Sequence, residues 1–66
     1  MTRAEEFTTL AQLDMAEFGH VQPETAKRAD CAAIGGYKTR LGYVFEYEDG
    51  SRIGFNRFTN EMEVTA

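Results

Sequence analysis

The 66-residue sequence predicts an α+β domain, with an N-terminal helix and a shorter Ala-rich helix packed on a three-stranded antiparallel β-meander. Three observations carry this expectation. Apolar residues recur at helical spacing as far as Phe18. Pro23 then opens an Ala-rich run that stops at Gly35-Gly36. From Leu41 onward, aromatic and aliphatic residues alternate with polar ones, interrupted by Asp49-Gly50 and Thr59-Asn60.

The first helix is expected over residues 3–18. Thr2 and Glu5 form a T-x-x-E capping box, in which hydroxyl and carboxylate satisfy free amides reciprocally. Glu5 and Glu6 also suit the positive end of the helix dipole. At 100° per residue, Ala4, Phe7, Ala11, Met15 and Phe18 share one stripe with Leu10 at its edge, while Leu13 falls outside it between Glu6 and Glu17. Gly19 offers a left-handed cap, and His20 and Val21 leave the helix. The second helix is expected over 23–34, with Pro23 at the first helical position, where its missing N–H is no loss. Its packing face is Ala26, Ala29 and Ala33, completed by Cys31 or Ile34. Gly35 and Gly36 read as a cap and turn.

Strands are expected at about 41–47, 52–58 and 61–65. The turn chemistry sets the first register. A two-residue loop at Asp49-Gly50 would mix polar and apolar side chains on both faces. A Glu48-Asp49-Gly50 loop with Gly50 left-handed instead places Phe45 opposite Ile53, Tyr43 opposite Phe55 and Glu46 opposite Arg52. A tight Thr59-Asn60 turn pairs Phe58 with Glu61 and Phe55 with Val64. One sheet face then carries Leu41, Tyr43, Phe45, Tyr47, Ile53, Phe55, Met62 and Val64 toward the first helix. The other carries Glu46, Arg52, Asn56, Glu61, Glu63 and Thr65, with Val44 and Phe58 among them. Gly42 and Gly54 flatten this second face, which is either bare or covered by the Ala-rich helix.

One domain spans 1–66, and a chain of this size supports roughly 3–5 kcal/mol of net stability. The hydrophobic fraction of 42 % argues against disorder. No apolar run approaches the ~18 residues of a membrane-spanning helix, and no basic-then-apolar order marks a signal peptide. A single Cys forms no internal disulfide, which suits a reducing, cytoplasmic setting. The formal charge of −4 conceals an uneven distribution. Residues 1–26 set Arg3 against Glu5, Glu6, Asp14, Glu17 and Glu24. Residues 27–40 set Lys27, Arg28, Lys38 and Arg40 against Asp30. Residues 41–66 set Arg52 and Arg57 against Glu46, Glu48, Asp49, Glu61 and Glu63. The order is acidic, basic, acidic.

Catalysis finds little support in these residues. Cys31 falls late in a helix among Ala residues and reads as a small buried hydrophobe rather than an activated thiolate. His20 lacks the companions of a metal site, so neither metal nor cofactor is expected. The carboxylate pairs Glu5/Glu6, Glu46/Glu48 and Glu61/Glu63 have no cleft to separate their pKa values. Gly35-Gly36 lacks the Lys and the following helix of a phosphate loop. The more informative pattern is a surface of acids with aromatic neighbours: Glu46, Glu48, Asp49, Glu61 and Glu63 near Phe58 and Tyr47. A second such surface lies on the first helix, at Glu6, Leu10, Leu13 and Glu17. Carboxylates on a rigid scaffold pair with the Lys and Arg that otherwise hold phosphates, and an adjoining apolar group supplies the desolvated anchor.

In its short acidic length, its Met1 start and its unstapled helix-plus-strand build ending in Glu61-Met62-Glu63-Val64, the chain resembles the small phage-encoded anti-CRISPR proteins, particularly inhibitors of type I CRISPR effector complexes. The resemblance spans the whole chain and lies in build, not in a shared motif. It implies a non-enzymatic inhibitor, acting in the host bacterial cytoplasm, that binds a Cas subunit and blocks target DNA. The basic middle segment departs from a uniformly acidic DNA mimic and fits a bipolar surface engaging one protein partner. Two other readings compete with it. One is a small nucleic-acid-binding regulator using Lys27, Arg28, Lys38 and Arg40 beside Tyr37. The other is a homo-oligomeric assembly protein joined through sheet edges at the first or last strand.

Overall fold

The computed structural model describes residues 1–65. Helix α1 (Arg3–Phe18) and helix α2 (Pro23–Ala32) precede four strands: β1 (Gly35–Lys38), β2 (Gly42–Glu46), β3 (Arg52–Asn56) and β4 (Glu61–Thr65). They form one antiparallel sheet in the order β1-β2-β3-β4. The fold is α+β as expected, but the sheet has four strands where three were expected. The additional strand is the Gly35-Gly36-Tyr37-Lys38 segment, which pairs with β2 from Gly35↔Glu46 to Lys38↔Tyr43. Two glycines give it almost no strand propensity. It is a strand because β2 supplies the ladder.

Helix α1 starts at the expected capping box, with the Glu5 amide donating to Thr2 Oγ1 at 3.1 Å and the Thr2 amide to the Glu5 carboxylate at 3.2 Å. It ends at Gly19 with φ 81°, the left-handed cap. Its buried side is Ala4, Phe7, Thr8 and Ala11, with Leu10 and Met15 packed alongside. Phe18, expected on this stripe, is exposed as the last residue of the helix, next to the Gly19 cap. Helix α2 ends at Ala32 rather than 34, since Ala33 is already extended at ψ 141°. Ala29 is fully buried, whereas Cys31 and Ile34 face solvent and do not join the packing face.

The β2–β3 register is the expected one, with Phe45↔Ile53, Tyr43↔Phe55 and Glu46↔Arg52, and Gly50 is left-handed at φ 85°. The β3–β4 register differs by two residues, with Phe55 opposite Met62 and Ile53 opposite Val64. The cause is a longer turn over Arg57–Asn60. Asn56 Oδ1 accepts the Phe58 and Thr59 amides at 2.9 and 3.1 Å, and Asn60 takes φ 63°. A two-residue slip keeps every side chain on its own face. It does remove Phe58 from the sheet and place it in the turn.

Both helices lie on one sheet face. Phe7 and Ala11 of α1, Ala29 of α2, and Tyr47, Ile53 and Met62 form a single cluster, with Phe45 and Phe55 packed against it. Leu41, Tyr43 and Val64, expected in this core, are exposed: Leu41 lies in the β1–β2 turn, Tyr43 lines an open groove beside α2, and Val64 sits on edge strand β4. Among the described residues, the opposite sheet face carries no helix.

Tyr47 joins the two layers. Its ring stacks on Phe7 at 5.5 Å between centroids, and its hydroxyl donates to the Ala29 carbonyl at 2.7 Å. That carbonyl belongs to the last turn of α2, where no intrahelical amide is available, so the phenol satisfies a group that would otherwise be buried and unpaired. Burial pushes the Tyr47 hydroxyl up to about 12. The unfolded chain ionises first, near pH 10. Stability is therefore complete below about pH 10 and falls as pH rises toward about 12. Tyr47→Phe should lower the unfolding free energy by about 1–3 kcal/mol and flatten this alkaline decline, as measured by denaturant titration across pH.

Gly42 is required for packing rather than for its turn. A Cβ there would overlap the Phe55 carbonyl and crowd the Arg57 amide at 3.1 Å, both of them backbone that cannot give way. At Gly35 a Cβ meets nothing within 4 Å. Gly42→Ala should destabilise by about 1–3 kcal/mol and Gly35→Ala by less than about 0.5 kcal/mol, read from urea midpoints.

Candidate functional site

The site is built on the helix-free face of the sheet. Alternation places Glu46, Arg52, Gly54, Asn56, Glu61, Glu63 and Thr65 there, with Val44 from β2 and Gly35 and Tyr37 from β1. Val44 and Gly54 form the floor of a trough of about 640 Å³. Arg40 and Leu41 of the β1–β2 turn make one bank, and Asn56, Glu63 and Thr65 the other. Tyr37 and Leu41 are 52 % and 57 % exposed, so one side of this face is apolar and the other acidic.

The acids named from the sequence are not equivalent in the structure. Glu46 lies beside Arg52 at 3.8 Å, and Glu6 beside Arg3 at 3.5 Å. Among the described residues, Glu48, Glu61, Glu63 and Glu17 have no Lys or Arg within ion-pair distance. Asp49 turns away from the open face altogether. Its carboxylate accepts the Arg3 amide at 2.8 Å and both the amide and the hydroxyl of Ser51. Ser51 Oγ in turn accepts the Ala4 amide at 3.1 Å. The β2–β3 turn thereby caps the start of α1. These donors, the Ser51 hydroxyl foremost and then the Arg3 and Ser51 amides, hold the Asp49 carboxyl down at about 2. Glu5 is held below its ordinary value in the same manner by the Thr2 amide and hydroxyl.

Tyr47, expected beside the acids, is buried in the core and contributes nothing to the surface. Phe58 is 69 % exposed in the β3–β4 turn, with the Arg57 guanidinium 5.0 Å from its ring centroid. On α1, Leu13 and Glu17 are exposed, and Glu6, Leu13 and Glu17 share the side turned away from the sheet. The two acidic surfaces therefore occupy opposite sides of the molecule.

The basic residues also divide. Lys27 borders a groove between α2 and the sheet, whose walls include Ala26, Asp30, Tyr43 and Phe45. The Tyr43 and Phe45 rings run parallel at 6.5 Å. Lys38 shares the Tyr43 side of β1, whereas Arg40 overhangs the trough on the opposite face. Arg28 is exposed on α2. The expected four-residue basic patch is thus spread over both faces.

Asp14 is a residue whose role the sequence reading missed. It accepts the Gln22 amide at 3.1 Å and the Thr25 hydroxyl, capping α2 from the body of α1. Its signal in the sequence was a carboxylate beside the core stripe, within reach of a helix start that has no side-chain cap of its own.

Among the described residues, no group of three or more His, Cys, Asp or Glu side chains is placed to hold a metal ion, and no helix is long and apolar enough to cross a membrane. The chain is a small α+β protein with one bare sheet face. No family model, curated protein or solved structure matches it.

The Asp49 link has a direct acid signature. A carboxyl lowered in the folded state stabilises above the unfolded value near pH 4, and that contribution is lost as pH falls toward about 2. Asp49→Asn should be less stable than the parent at pH 7, and the gap should narrow below pH 4. Thermal unfolding followed by circular dichroism across this range checks both.

Proposed function

We propose that the protein is a non-enzymatic inhibitor that docks the bare face of its sheet on a partner protein with a basic, nucleic-acid-binding surface. A subunit of a type I CRISPR effector complex is the partner that the resemblance in build favours. The observation that carries this reading is the pair Glu61 and Glu63, side by side on a helix-free face and, among the described residues, with no Lys or Arg within ion-pair distance.

The magnitudes assign separate roles to the two halves of the face. An exposed ion pair contributes about 0.2–1 kcal/mol, so two carboxylates orient and steer a partner without holding it. Affinity must come from apolar area, which the Tyr37 and Leu41 side supplies beside the flat Val44–Gly54 floor. Asp49 and Glu46 take little part, being engaged inside the protein. Glu48 lies at the hairpin tip, in reach of a partner that overlaps the strand ends. Carboxylates held this way compete with phosphates for the same Lys and Arg side chains.

The nucleic-acid-binding alternative rests on Lys27 and Lys38 around Tyr43. The split of the basic set across two faces, the neighbouring Asp30 and the charge of −4 all weigh against it.

The test is loading of labelled target DNA onto a purified type I effector complex. The protein should block loading, and Glu61→Lys/Glu63→Lys should weaken the block at least about ten-fold while the unfolding midpoint stays unchanged. Undiminished blocking by the double variant would remove the acidic face from the mechanism. An effector that loads normally with the parent protein present would overturn the inhibitor reading.

A further inference from the structure

The two edges of the sheet differ chemically. Edge strand β4 presents Glu61 and Glu63, and an antiparallel pairing of two copies centred on Glu63 would oppose like charges. Edge strand β1 has no such guard. All its residues are exposed, and Ile34 and Tyr37 add exposed apolar side chains to it. The ladder fixes which of its backbone groups are free. The Thr39 amide, opposite Gly42 in the continued register, donates to the Gly42 carbonyl at 2.9 Å, and every second residue before it faces the same way. Gly35 and Tyr37 therefore address β2, while the amides and carbonyls of Gly36 and Lys38 point away from the sheet.

We propose that β1 pairs antiparallel with β1 of a second copy about a two-fold axis at Tyr37, joining two four-stranded sheets into one. In this register Gly36 of each copy lies opposite Lys38 of the other, on the helix side. Gly36 borders a hollow whose walls include Asp30 of α2, Ala33 and Tyr43, and it carries no side chain to obstruct a neighbour, since a Cβ there would overlap the Val44 carbonyl of β2. The second copy's Lys38 passes over Gly36 and meets Asp30. Among the described residues Asp30 has no ion-pair partner, and neither has Lys38. The two-fold repeats the contact. On the opposite face the two Tyr37 rings meet at the closely spaced type of pair. The helices do not collide: α2 lies over Tyr43, Phe45 and Phe55 of β2 and β3, and the two β2 strands stand roughly 14 Å apart across the seam, more than the ~8–10 Å of packed helices.

The pairing stands on β1 and α2 alone. It leaves Glu61 and Glu63 free at both far ends of the joined sheet and takes Tyr37 into the seam, so Leu41 and the Val44–Gly54 floor are the apolar area left to the proposed inhibitor's partner. Sedimentation equilibrium from micromolar to millimolar protein tests it. The parent chain should form dimers. Lys38→Glu should weaken association at least about ten-fold, and Asp30→Lys/Lys38→Glu should recover it. Tyr37→Lys, which opposes two ammonium groups at the axis, should give a loss like that of Lys38→Glu, and Glu61→Lys/Glu63→Lys should associate as the parent does. A monomer at every concentration, or association indifferent to Lys38→Glu and Tyr37→Lys, overturns the proposal. Loss of association in Glu61→Lys/Glu63→Lys alone would place the contact on the other edge and overturn it as well.

Discussion

The fold depends on Tyr47. A 66-residue chain has few side chains that can reach three elements at once, and this one continues β2, stacks on Phe7 of α1 and ends on the Ala29 carbonyl of α2. Its hydroxyl is the polar atom that lets an Ala-faced helix sit on the sheet. Alanine buries little area, so α2 cannot be held by its own apolar face. It is held at one end by Tyr47 and at the other by Asp14. The same economy recurs at α1, where the β2–β3 turn provides Asp49 and Ser51 to the first amides. Each helix thus starts on a side chain from elsewhere in the chain, and local capping and tertiary packing become one interaction.

Short-range chemistry was legible in the sequence. The capping box, the Gly19 cap, the Gly50 turn and the β2–β3 register all follow from residues a few positions apart. What escaped is what distant residues decide. β1 carries no strand signal, because Gly35-Gly36 has the composition of a turn and only the ladder from β2 makes it a strand. The β3–β4 register depended on Asn56, whose side chain lengthens the turn by capping Phe58 and Thr59. Cys31 looked internal in a run of alanines, yet only Ala29 faces squarely inward.

For the candidate site, the sequence indicated which residues are acidic but not which of them are free. Asp49 looked like part of a recognition patch and is a helix cap. Glu46 has Arg52 for a neighbour, as the register implied. Glu61 and Glu63 remain because a strand places alternate residues on one side and neither helix crosses that side. The charge of −4 says much less than this sorting does. Acids engaged inside the protein shape it, and acids left over are available to something else.

The slender attachment of α2 has a consequence for motion. A helix held by two side chains, Asp14 and Tyr47, with one fully buried alanine and only partly buried alanines beside it, should open at lower free energy than the sheet and α1, which share the aromatic core. The amides of α2 would then exchange with solvent through a partial opening that leaves the four strands paired. In that open state Tyr43, Phe45 and Phe55 lose their cover while the bare face keeps its shape. Such an opening would uncover one side of the sheet and leave the other unchanged.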